Sequence, residues 1–296
     1  MHVPVLQKQV IEYLNPKTNE NFIDCTIGNG GHALAILEKT KPDGKILGID
    51  WDSEIIKQLA LRERMVLVND SYANLKNIIE KEKFGPVSGI LFDLGMSSWH
   101  IDESGKGFSF MRDEPLDMRY SSQFPISNFQ FSNLTAKKIV NEWKEEEIEK
   151  ILKEYGGERF ARRIAKEIVR ERKTKPIKTT FQLKDVIRKA VPGKFQHGRL
   201  HYATRTFQAL RIAVNDELNN LKKGLPQAVD ILTRGGRLVV ISFHSLEDRI
   251  VKNFFKEKTK GNIIKILTKK PIGPTEEEIK INPRSRSAKL RAAAII

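Results

Sequence analysis

The stretch Phe22-Ile23-Asp24-Cys25-Thr26-Ile27-Gly28-Asn29-Gly30-Gly31-His32 decides the fold. An apolar run ends in closely spaced glycines, and a helix-forming segment follows. This is a strand entering a helix through a turn whose backbone N–H groups can lie against a ligand, because no Cβ blocks the approach. The same alternation repeats downstream. Strands are expected at Asn21 to Thr26, Lys45 to Asp50, Met65 to Asn69 and Val87 to Leu94, with helices beginning near Gly31, Ser53 and Asn74. Units of this kind build a parallel, doubly wound α/β sheet whose ligand edge lies at the strand carboxyl ends.

Strand patterning stops near Pro115 and resumes after Tyr202. Residues 115–202 are therefore read as an inserted helical domain, and 1–114 with 203–296 as the sheet domain. Within the insert, one helix is expected from Ala136 to Tyr155, ended by Gly156-Gly157, and a second from Glu158 to Arg172. A third opens with the capping box Thr179 to Gln182. The segment Thr204 to Leu221 places Phe207, Leu210, Val214, Leu218 and Leu221 on one helical face and is expected to return the chain to the sheet. Arg237 to Phe243 reads as a buried strand and Glu247 to Glu257 as the helix after it. Ile263 to Leu267 and Leu290 to Ile296 supply two closing strands.

The 296 residues carry a formal net charge of +15, a field that favours polyanionic partners such as nucleic acid or an anionic membrane surface. No apolar run approaches the roughly 20 residues that span a bilayer, and the N-terminal segment has no cleavage-site pattern. Cys25 is the one cysteine, which excludes an intramolecular disulfide or a cysteine-based metal cluster and reads as core packing. A soluble, cytoplasmic protein without membrane or metal is expected.

Read as Gly28-x-Gly30-x-x-Ala33, the glycine turn fits NAD as well as S-adenosylmethionine. Asp50 ends the second strand about 20 residues beyond the turn, where a carboxylate accepts from both ribose hydroxyls or simply closes a solvated strand end. Asp24 separates the two cofactors. Before the glycines, a carboxylate compensates a cationic methionine end and repels a pyrophosphate. The fourth strand ends in Phe92-Asp93-Leu94-Gly95-Met96-Ser97-Ser98, which sets a second carboxylate at the same edge, either in the chemistry or as a turn cap.

The segments HVPVL from His2, DCTIGNGGH from Asp24, DLGMSS from Asp93, GFSFMRDEPLDMR from Gly107, ARRIAKEIV from Ala161, TRTFQALRIAVNDEL from Thr204, GGRLVVISFHSLEDRIVK from Gly235 and NPRSRSAKLR from Asn282 together resemble the bacterial 16S rRNA cytosine N4-methyltransferase family. They run in order over the whole chain. The resemblance implies a class I methyltransferase sheet with an inserted helical substrate domain, S-adenosylmethionine as cofactor, and a cytidine in the decoding centre of the small ribosomal subunit as target. It places cofactor contacts on Gly30, Gly31, His32, Asp50, Tyr72, Asp93 and His100. Tyr72 and His100 stand where relatives often carry Phe and Gln; the first keeps an aromatic face and the second a hydrogen-bonding ring.

The lone pair of a cytosine N4 is delocalised into its ring, so acceptors for its hydrogens must localise it and relieve the charge that develops on methyl transfer. Other amino-methyltransferases use Asp or Asn, two prolines and an aromatic residue at this strand end. Asp93-Leu94-Gly95-Met96 matches only at Asp93, so a base stacker must come from elsewhere, with Trp99, Phe108, Phe110 and Tyr120 as candidates. His244, at the end of a later strand, is a candidate substrate contact or a structural histidine. Arg159 to Lys178 holds nine Lys or Arg and two Glu, and Asn282 to Arg291 holds four basic residues and no acid, so both are candidate phosphate tracks. The other classes the sequence admits are a nicotinamide-dependent oxidoreductase and a non-catalytic RNA-binding or ribosome-assembly protein.

Overall fold

The strand before the glycine turn is central to the sheet. In the computed structural model, which describes residues 4–59, 62–121, 133–198 and 200–296, α1 (Gln7–Leu14) leads into β1 (Phe22–Asp24) and the turn opens α2 (Gly31–Lys39). There follow β2 (Ile46–Asp50), α3 (Ser53–Gln58), β3 (Met65–Asn69), α4 (Leu75–Glu82) and β4 (Val87–Asp93). The chain then runs through α5 (Ser98–Asp102), α6 (Ala136–Glu142), α7 (Glu145–Glu154), α8 (Ala161–Thr174), α9 (Thr180–Ala190) and α10 (Thr204–Asn215). It closes with α11 (Glu217–Ile231), β5 (Leu232–Ser242), α12 (Ser245–Lys260), β6 (Ile264–Ile266), α13 (Glu276–Ile281) and β7 (Lys289–Ile295).

The seven strands lie in the order β3-β2-β1-β4-β5-β7-β6. β1 to β5 are parallel along this order, and β7 runs antiparallel between β5 and β6. A dinucleotide-binding sheet has the order 3-2-1-4-5-6; the reversed strand inserted here makes it the class I methyltransferase sheet. Alternation along each strand fills two cores. Ile23, Leu47, Ile49, Ile90, Phe92, Leu238 and Val240 pack on one face, and Phe22, Ile46, Leu91, Val239 and Ile241 on the other. Each such side chain contributes about 1.5–3 kcal/mol on burial, which fixes the strand register and thereby the level at which each strand ends. Among the described residues no helix is long and apolar enough to cross a membrane.

The chain divides into a sheet unit, Met1–Gly95 with Leu218–Ile296, and a helical unit, Met96–Glu217. The sequence reading set these boundaries at 114/115 and 202/203. The helical unit reaches Glu217 because its last residues are tied to Met118 and Tyr120. Asn215 accepts the Tyr120 N–H at 2.9 Å and donates to the Met118 carbonyl at 2.7 Å, and Glu217 takes Arg211 at 2.8 Å and the Tyr120 hydroxyl at 3.2 Å.

Two expected helices are each broken in two. Ala136 to Tyr155 is interrupted at Trp143 and Lys144, both extended, where Glu147 accepts the Lys144 N–H at 2.8 Å and restarts the helix. Thr204 to Leu221 is interrupted at Asp216, which adopts a left-handed φ of 49°. Thus α10 stays in the helical unit, and α11 carries the chain back to the sheet. The second expected helix begins at Ala161 rather than Glu158, because Glu158 turns back to accept the Phe160 N–H at 2.9 Å.

Candidate active site

Parallel register brings Asp24, Asp50, Asn69 and Asp93 to the carboxyl ends of β1, β2, β3 and β4. Past Asp24 the backbone stays between its neighbours, with Cys25 N–H on the Leu91 carbonyl and Ile27 N–H on the Ile49 carbonyl, each at 2.9 Å. Gly28 and Gly30 then take left-handed φ values of 48° and 78°, where a side chain is strained. Gly31 is required for another reason. A Cβ there would stand 2.3 Å from Pro4 Cγ, and the Gln7 side-chain amide donates to the Gly31 carbonyl at 3.1 Å. The segment from Pro4 to Gln7 therefore lies on the glycine turn; His2 and Val3 fall outside the described residues.

Asp50 is not a solvated strand end. Its Oδ2 accepts the Gly28 N–H at 3.1 Å and its Oδ1 the Asp52 N–H at 2.9 Å, so it braces the turn. Tyr72 opens a tight 3₁₀ turn after β3, capped by Ser71. Its ring meets Phe92 edge-on at 5.3 Å, and a Cβ on Gly224 of α11 would come within 2.9 Å of it.

His32, in the first turn of α2, and Asp93 face each other with Nε2 and Oδ2 3.5 Å apart. Asp93 is anchored from behind, its N–H donating to Thr26 Oγ1 at 2.7 Å. Asp93 Oδ1 and both His32 ring nitrogens are buried with no hydrogen-bond partner among the described residues. Asp24, 1% exposed, accepts the Thr26 N–H at 3.1 Å. Burial lifts its carboxyl to about 7; His32 and the Thr26 N–H pull the other way, and Asp93 and Asp50 add to the rise. For His32, burial opposes the charge, but Asp93, with Asp24 and Glu278, outweighs it and holds the imidazole above its ordinary value. Glu278, on α13, also accepts the Leu6 N–H at 2.7 Å. Neither Glu278 nor Thr26 is singled out by the sequence.

Buried polar atoms without partners cost about 1–3 kcal/mol each unless a ligand satisfies them. Here they converge with carboxylates on one imidazole, which leaves the edge with surplus negative charge. S-adenosylmethionine, whose methionine end carries a cationic sulfonium, fits an edge with this surplus of negative charge. A pyrophosphate would face the same carboxylates, which counts against a nicotinamide cofactor.

His100 belongs to the helical unit. Its Nδ1 lies 2.9 Å from Ser97 Oγ in a reciprocal cap of α5, and its ring contacts Trp99, Phe108 and Tyr120 at 5.4, 5.4 and 4.9 Å. Phe108 and Tyr120 are buried and stacked on each other, which removes both from the candidate base stackers. His244 caps α12. Its Nδ1 faces the Glu247 N–H at 3.5 Å and its Nε2 lies 3.2 Å from Glu247 Oε1, while Glu247 Oε2 accepts the N–H groups of Phe243 and His244.

In α8, Arg162, Arg163, Lys166, Arg170 and Lys173 are exposed at spacings that keep them on one face, and Arg159 is exposed two residues before the helix. The two acids of the stretch engage Arg170 and Lys189: Glu167 is buried against Arg170 at 2.5 Å, and Glu171 holds Lys189 at 3.0 Å and lies 3.6 Å from Arg170. In the second basic segment Arg291 and Lys289 are drawn to Asp248 at 2.7 and 3.7 Å, leaving Arg284 and Arg286 exposed.

A family model described as the MraW methylase family matches residues 1–296. A ribosomal RNA small subunit methyltransferase H from Clostridium botulinum is 46% identical over 309 aligned positions, covering 98% of this chain and 97% of its own length. One from Dehalococcoides mccartyi is 46% identical over 312 positions, covering 99% of this chain and 86% of its own. Among solved structures, an rRNA methylase from Streptococcus thermophilus aligns over 100% of this chain and 99% of that one, at 11% identity and a TM-score of 0.44.

Proposed function

The chain belongs to the MraW methylase family, and from that membership we propose that this S-adenosylmethionine-dependent rRNA methyltransferase acts on N4 of a cytidine in the decoding centre of 16S ribosomal RNA. The observation that carries the reading is Asp93, a strand-end carboxylate with one oxygen held by His32 and the other buried without a partner. Bound S-adenosylmethionine supplies an electrophilic methyl group on a sulfonium. The residues of the chain do the rest. Asp93 Oδ1 accepts a hydrogen of the target amino group, localises its lone pair and gains attraction as positive charge develops there. His32 keeps the carboxylate in place by attracting Oδ2, and the Thr26 hydroxyl fixes the backbone beneath it. Gly28, Gly30 and Gly31 shape the turn that admits the cofactor, and Asp50 accepts from its ribose.

The helical unit supplies the grip on RNA. Arg162, Arg163, Lys166 and Lys173 have no ion-pair partner among the described residues and stand in one stripe, as a track for phosphates requires. Single-stranded or extruded presentation of the base follows from the chemistry, because N4 is engaged in pairing within a duplex.

The test is nucleoside analysis of 16S rRNA from cells lacking the gene. N4-methylcytidine should disappear and return with the parent chain but not with Asp93→Ala. Loss of a different methylated nucleoside would remove N4 and leave an rRNA methyltransferase; an unchanged methylation profile would remove the reading altogether.

A further inference from the structure

A ladder of aromatic rings in the helical unit is built outward from its core. Phe207 of α10 is buried and meets Phe110 edge-on at 5.3 Å. His201 stacks on Phe110 at 4.5 Å with an interplanar angle of 13°, and Tyr202 stacks on His201 at 4.1 Å. The two outer rungs are half-exposed. Their backbone is held by the start of α10, with the Thr204 N–H on the His201 carbonyl at 3.0 Å and the Ala203 N–H on His201 Nδ1 at 3.2 Å. Because Nδ1 accepts that bond, the ring carries its hydrogen on Nε2. Burial and the nearby Lys184 also hold its pKa below the ordinary value, so His201 is a neutral aromatic surface near neutral pH.

The rim combines a lysine, an arginine–aspartate ion pair and apolar side chains. Lys184 lies 3.9 Å over the Phe181 ring and donates to the Phe110 carbonyl at 3.2 Å. Arg188 and Asp185, an ion pair at 3.3 Å, act on the Tyr202 side. Next to Phe110 in the chain, Met111 is 72% exposed. Flat rings fixed against the core, half-exposed and rimmed by cations, form the pairing of stacking surface and electrostatic attraction that holds unpaired nucleic-acid bases.

We infer that the Phe110–His201–Tyr202 ladder is a stacking platform for an unpaired base of the RNA substrate, with Tyr202 as the contacting ring. The inference rests on the RNA reading and adds a site to it. Stacking is tolerant of base identity, so the platform positions the strand without reading its sequence.

Binding of a fluorescently labelled single-stranded oligoribonucleotide, and of the same sequence as a duplex, tests this with the full chain. Tyr202→Ala should weaken the single strand about tenfold, within the range for one lost base–aromatic stack. Tyr202→Phe should bind like the parent, duplex affinity should be unchanged, and the salt dependence should stay the same because no phosphate contact is lost. Thermal unfolding of each variant identifies a misfolded one, in which case His201→Ala replaces it with the same expectation. Single-strand binding within twofold of the parent, or an equal loss for the duplex, would overturn the platform. Methylation of small subunits by the parent preparation keeps the two questions apart. A parent that methylates while Tyr202→Ala binds normally removes only the platform, and a parent that does not methylate removes the RNA reading.

Discussion

Burial lifts the Asp24 carboxyl to about 7, so near neutrality its charge depends on what binds beside it. A cation at the edge favours the ionised form, and binding below pH 7 must release a proton. Affinity for S-adenosylmethionine should therefore rise roughly tenfold per unit between about pH 5.5 and 6.5 and level off near 7. Calorimetry in buffers of different ionisation enthalpy would report the proton; a flat profile would place Asp24 away from the cofactor. The same shift works against the empty protein. The native state holds this proton above the pH at which the unfolded chain, near 3.8, loses it, so stability without cofactor falls as pH rises from about 4 to 7. Asp50→Ala should weaken cofactor binding more than tenfold, since hydrogen bonds to a charged acceptor contribute about 1.5–3 kcal/mol each; unchanged calorimetric affinity would exclude it from the site. The strand-end carboxylates were legible because each closes an apolar run before a turn. The partnership of His32 with Asp93 was not, and neither was Glu278, whose contact with Leu6 spans 272 positions. No local pattern records which distant carboxylate a buried imidazole meets.

At the scale of elements, the strands were legible because their burial imposes a period. The direction of β7 was not, because an apolar alternation reads the same both ways. The helix breaks at Trp143 and Asp216 were hidden because apolar spacing continues across them; at the first, the Glu147 cap on the Lys144 N–H is the physical signal. A cap is also where one side chain controls an element. Thr179 and Gln182 close α9 reciprocally, and Thr179→Ala should cost about 1 kcal/mol. That corresponds to a fall of roughly 2–4 °C in Tm, with cofactor affinity unaffected, since α9 lies in the helical unit. Thermal unfolding combined with calorimetry checks both halves, and lost cofactor affinity would show that α9 supports the cofactor site.

For the whole molecule, the net charge of +15 was legible at once as a preference for a polyanion, but the face that carries it required the helix to be built. Reversing Arg162, Arg163 and Lys166 to Glu should lower RNA affinity and flatten its dependence on salt, by about one unit of slope per lost phosphate contact. Chemistry in the sheet unit and grip in the helical unit are then separable. Single-turnover transfer of labelled methyl to small subunits from cells lacking the protein, followed against subunit concentration at saturating S-adenosylmethionine, separates them in one experiment. Asp93→Ala should lower the plateau rate about a hundredfold to a thousandfold, as loss of one preorganised acceptor does, with the half-saturating subunit concentration unchanged. The triple charge reversal should raise that concentration and keep the plateau. A plateau for Asp93→Ala within threefold of the parent would contradict the catalytic role of Asp93 and leave it a turn-forming residue.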